Sequence, residues 1–203
     1  QGSIVRVVPS SKFDWLLTTW AIGWRRLLDR VDALVNDLQS RSHTGKVTLI
    51  GHSSGGVMLR LYLGDQPFSG RVYSGYKSCN RLITLGSPHQ AVRATPLRAH
   101  VNTLYPGCFY ADHVDYFSTA GRLSLDSPNA SQFTKFTAAN SYRSISDDPL
   151  LHGDGLVPVS SALLAQSRDL VLNDTAHGGL FGRSWYGSID RIEQWWPYAM
   201  GFA

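Results

Sequence analysis

The stretch that most constrains this 203-residue chain is Ile50-Gly51-His52-Ser53-Ser54-Gly55-Gly56. Before it stands Lys46-Val47-Thr48-Leu49-Ile50, and after it the apolar segment from Val57 to Leu63. The first reads as a buried strand and the second as a helix, so the glycine-rich turn must carry the chain from one to the other within a few residues. Gly-x-Ser-x-Gly in that setting gives a sharp elbow with Ser53 at its tip. Side chains at Gly51 and Gly55 are expected to have no room there. A helix N-terminus directs free N–H groups at the tip, and the Ser54 N–H is placed to stabilise an oxyanion.

The rest of the chain supplies the elements around this elbow. Ile4 to Val8 is β-branched and reads as a buried strand, ended by Pro9-Ser10-Ser11. From Ile22 to Gln39 the apolar residues Trp24, Leu27, Leu28, Val31, Leu34, Val35 and Leu38 recur at helical spacing and form one stripe. Arg81 to Leu85 reads as a third strand, Tyr142 to Ser146 as a weak one and Asp169 to Leu172 as a strong one. Ile189 to Met200 reads as a closing helix despite Pro197. Alternating strands and helices predict an α/β fold with a mainly parallel sheet between helical layers. No repeat or low-complexity tract divides residues 1–203, so one domain is expected. Residues 89–140 lack clean periodicity and read as a long functional segment or one carrying short helices.

Composition removes several classes of function. Hydrophobic residues make up 43% and charged residues 17%, which excludes a disordered chain. The net charge of +4 and the pI near 9.2 do not imply a nucleic-acid partner, because lysines and arginines are scattered with no run beyond Arg25-Arg26. A weakly basic surface is equally suited to anionic lipid headgroups. Cys79 and Cys108 read as two reduced thiols and do not make a disulfide scaffold or a multi-cysteine zinc module. His152 and Asp154 alternate, but nothing nearby completes a metal-ligand set.

A serine hydroxyl becomes a nucleophile when a base removes its proton, and the base needs an acid to orient it. On an elbow of this kind the chain order is serine, acid, histidine. His43 precedes the elbow and His52 lies inside it. His89 and His100 follow the third strand too closely, His113 lies in the irregular region, and His152 precedes the best acid. His177, in Asn173-Asp174-Thr175-Ala176-His177-Gly178-Gly179, follows the last strand and is the expected base. The expected acid is Asp154, in His152-Gly153-Asp154-Gly155-Leu156-Val157-Pro158, with Asp147 and Asp148 as rivals and Asp174 too near His177.

With these pieces in place the chain resembles the α/β-hydrolases of the lipase and esterase type. Within them it resembles the group that includes lipase-like proteins of cyanobacteria and plastids and is similar to the inositol-deacylase-like lipases. Gly51 to Gly56, Leu82-Ile83-Thr84-Leu85-Gly86-Ser87-Pro88-His89, Gly153 to Pro158, Leu172 to His177 and Trp185-Tyr186-Gly187-Ser188 with Glu193 to Tyr198 carry the resemblance. It implies an α/β-hydrolase three-layer sandwich, residues 89–140 as a cap or lid insertion, Ser53 as nucleophile, Asp154 as acid, His177 as base, and no cofactor. It also implies a further strand and a glycine-containing oxyanion loop before Ile4, lying centrally between the Ile4–Val8 strand and the elbow strand. The expectation is therefore that an upstream segment or a partner chain completes the sheet.

The substrate implied is a carboxylic ester of a lipid or another hydrophobic acyl group. Phe109, Tyr110, Tyr116, Phe117, Phe133 and Phe136 either line an acyl pocket or pack the cap onto the sheet. Trp15 and Trp20 divide in the same way between core and contact with a membrane surface. Acyl transfer to an alcohol or amine would use the same three residues. A catalytically idle fold acting as a binding module is the reading from a different class.

Overall fold

The computed structural model describes residues 4–11, 14, 17–18, 20–90, 95–145 and 152–202. Helix α1 (Ala21–Arg41) leads into strand β1 (Val47–His52), the elbow, and helix α2 (Ser54–Leu63). Then come β2 (Cys79–Leu85), α3 (Pro96–Leu104), β3 (Asp115–Arg122), α4 (Gln132–Ile145), the short α5 (Val159–Ala162), β4 (Arg168–Asn173) and α6 (Ile189–Met200). The four strands form one parallel sheet in the order β1-β2-β3-β4.

Register explains the layers. Leu49 lies opposite Leu82 and Leu82 opposite Tyr116, and this row packs with Leu27, Leu28 and Val31 of α1 and with Val57 and Leu61 of α2. One residue further on, Ile83 lies opposite Phe117, and both pack with Trp195 and Ala199 of α6 on the other face. Successive side chains of a strand point to opposite faces, so near-continuous apolar strands are what a sheet covered on both sides requires. The result is a helix–sheet–helix sandwich. Pro197 sits inside α6, and Gly201 closes that helix in the left-handed conformation, at φ 75°.

Three expectations are corrected. Ile4 to Val8 is not a sheet strand: it has no ladder, and Ile4, Val5 and Val7 are exposed. Among the described residues its β-branched composition meets no neighbour to pair with, and the segment is held to α1 by Arg30 Nη1 donating to Pro9 O at 2.8 Å. Tyr142 to Ile145 is the last turn of α4, whose buried Thr134, Ala138, Tyr142 and Ile145 keep helical spacing. Residues 89–140 are not all cap, because Asp115–Arg122 is the third sheet strand. Six consecutive buried positions, several of them small or polar, hid it from a search for alternation.

The outer edge of β1 has no strand beside it among the described residues. Val47 N–H and Ser53 N–H both donate toward β2, to Ser78 O and Leu85 O. Because a strand's backbone groups alternate in direction, Thr48 and Ile50 turn their N–H and C=O outward. A groove of about 1350 Å³ runs along this edge. Val8, Leu27 and Val31 line one side of it, Trp196 and Met200 the other, and it reaches Ser53 and His177.

Candidate active site

The elbow forms where the sequence places it. Ser53 has φ 55° and ψ −134°, a conformation unfavourable for a residue with a side chain and held here by the structure on both sides. Its N–H donates to Leu85 O at 3.0 Å, tying the turn to the end of β2. The glycines around it divide differently from expectation. A Cβ on Gly51 would lie 2.6 Å from Gly56 Cα, and one on Gly56 would lie 2.1 Å from Ser87 Oγ. A Cβ on Gly55 would meet nothing within 4 Å. The crowded pair is therefore Gly51 and Gly56, because the turn presses Gly51 against the helix start and Gly56 against Thr84 and Ser87 at the end of β2, while Gly55 faces open space.

Ser53, His177 and Asp154 come together over 124 residues of sequence. Ser53 Oγ lies 3.0 Å from His177 Nε2, and His177 Nδ1 lies 2.9 Å from Asp154 Oδ2. With Nδ1–H donating to the carboxylate, Nε2 is left as the acceptor for the serine proton. The carboxylate is fully buried and His177 is 4% exposed. Asp154 Oδ1 accepts the backbone N–H of Leu156 at 3.0 Å and of Val157 at 2.8 Å, so the acid loop closes on its own side chain. Gly153 O accepts from Leu123 N–H at 2.8 Å, which fixes that loop to the end of β3. His177 N–H donates to Asp154 O at 2.7 Å, locking base and acid together through the backbone as well.

Sequence reasoning missed several groups around these three. The Tyr186 hydroxyl donates to Asp154 Oδ2 at 2.8 Å and accepts the Gly121 N–H at 2.6 Å. Burial and the adjacent carboxylate push its pKa well above the usual tyrosine value, so the hydroxyl keeps the proton that it donates to Asp154. A buried tyrosine needs a partner for its hydroxyl, and Tyr186 finds two here, although nothing in its local sequence marks it. His52, set aside on chain order, has Nε2 2.7 Å from His177 O, and its ring stands 4.7 Å from the His177 ring. Burial, with His177 close by, lowers its pKa to about 4, so it is neutral and donates to that carbonyl. Phe181 meets the His177 ring edge-on at 5.5 Å and is itself packed by Phe133.

Other candidates fall elsewhere. Ser54 is the first residue of α2, so its N–H has no acceptor within the helix. Asp147, Asp148 and Trp15 lie outside the described residues. Asp174 is turned away, accepting from Ser127 Oγ at 2.6 Å. Tyr110 and Tyr116 belong to the core beneath α2, Phe117 to the core beneath α6, and Phe109 meets Tyr105 and Tyr110 edge-on. Of the six expected aromatics, Phe133 reaches the His177 neighbourhood, through Phe181. Phe136 and Trp20 are exposed. Cys79 and Cys108 are both free and buried, and burial raises their thiols to about 12 and about 11.

No family model and no curated protein matches the chain. Among solved structures it is similar to the crystal structure of the Bacillus licheniformis lipase BlEst2 in mature form. The two share 18% identity at a TM-score of 0.56, over 85% of this chain and 71% of that one. The likeness establishes an α/β-hydrolase-like fold.

Proposed function

We propose that this chain is a serine hydrolase of carboxylic esters with hydrophobic acyl groups. The observation that carries the proposal is the unbroken hydrogen-bonded chain from Ser53 Oγ through His177 to the buried Asp154 carboxylate. The motif resemblance to cyanobacterial and plastid lipase-like proteins and the lipase-like fold point the same way.

In this reading Ser53 Oγ attacks the ester carbonyl as His177 Nε2 takes its proton, forming a C–O bond and a tetrahedral oxyanion. The Ser54 N–H donates to that oxygen at the positive end of α2. Asp154 stabilises the imidazolium across the Nδ1 hydrogen bond without taking its proton. Collapse breaks the bond to the alcohol, which leaves with the proton from His177. Water then attacks the acyl-enzyme by the same steps in reverse.

The apolar substrate is supported by what rings His177. Phe181 lies against the imidazole, and Phe133 and Leu180 beside it are 45% and 64% exposed. With the nearly bare Phe136 on the same helix as Phe133, they give an apolar rim fit to meet a lipid surface.

The groove along β1 has a different chemistry. Hydrocarbon laid there would leave the outward N–H and C=O groups of Thr48 and Ile50 without partners. A further polypeptide strand would satisfy them. We therefore include in this reading a strand at the β1 edge, from a longer chain or a partner, bringing a second oxyanion donor with its loop. Rapid hydrogen exchange at the Thr48 and Ile50 amides in the active protein would contradict it.

The test of the function is turnover of medium-chain p-nitrophenyl esters by the wild type and Ser53→Ala. Loss of all but a few per cent of activity in a folded variant is expected. Retained turnover contradicts the assignment.

A further inference from the structure

Helix α3 lays one cation against the turn that carries Ser53. Arg98 Nη2 donates a 3.0 Å hydrogen bond to Ser54 Oγ. A serine Oγ stands within about 4 Å of its own backbone nitrogen, so the guanidinium reaches to within about 7 Å of the Ser54 N–H that faces the reacting centre.

Among the described residues Arg98 is the half-buried arginine with no anion of its own; Arg6, Arg26, Arg122, Arg143 and Arg183 also lack an aspartate partner but are exposed to water. Arg25, Arg30, Arg71, Arg81 and Arg168 each meet an aspartate. The buried Arg60 is held by Asn102 Oδ1 and Tyr105 O, inside the core. Arg98 is half-buried, and among the described residues its protein partner is the neutral Ser54 hydroxyl, which uses one of its five N–H donors. Burial lowers its pKa, and no carboxylate opposes that effect. A partly desolvated guanidinium with spare donors, at the lip of a reactive serine, is an incomplete ion pair. An oxyanion completes it, because a planar fork of donors suits carboxylate and phosphate geometry.

We propose that Arg98 is the docking group for an anionic substituent of the substrate, a carboxylate or phosphate monoanion carried close to the scissile ester. Selection for charge then adds to the apolar selection made around His177, and the substrate is an amphiphilic ester. This inference rests on the ester-hydrolase reading of Ser53.

The experiment uses three esters of one medium-chain acyl group: with a neutral alcohol, with a carboxylate-bearing alcohol, and with an alcohol bearing a phosphodiester. Each is measured with the wild type, Arg98→Gln and Arg98→Lys, after melting curves show that the variants are folded. The wild type should favour at least one anionic ester over the neutral one by about 10-fold or more in kcat/KM, and the preference should shrink with added salt. Arg98→Gln should reduce the anionic-to-neutral ratio by about 10-fold, mainly through KM, while Arg98→Lys keeps an intermediate ratio. The anionic arm with the larger ratio identifies the group. Equal turnover of all three esters by the wild type, or an equal loss on all three in Arg98→Gln, overturns the proposal and leaves Arg98 as a prop for Ser54. Absence of turnover on every ester, with no covalent label on Ser53, overturns the hydrolase reading and this inference with it.

Discussion

The Tyr186 hydroxyl donates to the same Asp154 oxygen that accepts from His177, at 2.8 Å against 2.9 Å for the imidazole. Tyr186 is itself held by Trp195 Nε1 donating to its carbonyl at 2.9 Å, so the closing helix is tied to the carboxylate through one ring. Removing the hydroxyl leaves the Gly121 N–H without its acceptor and the buried carboxylate one donor short. Tyr186→Phe should therefore lose about 1–3 kcal/mol of stability. It should also lower kcat by roughly 10-fold with KM little changed, because an under-determined carboxylate positions His177 less well. Chemical denaturation and steady-state kinetics check both.

Asp154→Asn should be far more damaging to the chemistry than to the fold. The asparagine oxygen can keep the Leu156 and Val157 N–H bonds that Oδ1 now accepts, which turns the amide nitrogen toward His177. A donor there opposes the Nδ1–H tautomer and leaves Nε2 protonated, unable to take the serine proton. A fall in kcat of roughly 10³-fold or more is expected, with a stability loss of about 1–3 kcal/mol because the amide nitrogen no longer accepts from the Tyr186 hydroxyl. Asp148→Asn should stay within a few-fold. The opposite ranking would assign the acid role to Asp148.

The elbow glycines make a stability prediction that their motif alone does not. Gly51→Ala and Gly56→Ala place a methyl at 2.6 Å and 2.1 Å from neighbouring atoms and should each cost about 2 kcal/mol or more. Gly55→Ala meets open space within the first turn of α2 and should be neutral or gain up to about 1 kcal/mol. Urea titrations of the three variants test the ranking.

His52 gives the fold a sensitivity to acid. Its folded pKa of about 4 lies below the ordinary value of 6.5, so the unfolded chain binds a proton at higher pH than the folded chain does. Its contribution is present in full above about pH 6.5 and is lost as pH falls toward 4. The buried His89, also lowered, acts with the same sign. His52→Gln should therefore flatten part of the loss in melting temperature between pH 6.5 and 4. Parallel melting curves for the two proteins across that range would assign the slope elsewhere.

Much of this was legible in the residues, for a physical reason in each case. Gly51 to Gly56 between two apolar runs permits little except an elbow, chain order then left His177 as the base, and the glycine-flanked loop favoured Asp154 over its rivals Asp147 and Asp148. The helices at 21–41 and 189–200 announced themselves by spacing. What failed depends on neighbours. Ile4–Val8 has strand composition, but a strand is made by pairing, and no partner stands beside it among the described residues. Strand β3 is buried on both faces, so Ser118, Thr119 and Gly121 carried no alternation to read. Tyr186, Phe181 and Arg98 act through contacts 32, 4 and 44 residues away in the chain, and no local pattern marks them.

The central claim is that Ser53 is a nucleophile activated by His177. The most direct measurement is intact-mass and peptide mapping of the protein after treatment with a fluorophosphonate. One adduct on Ser53, formed at a rate that collapses in His177→Ala while the fold persists, is the predicted result. No adduct on Ser53 in folded protein, or labelling that is indifferent to His177, would contradict it.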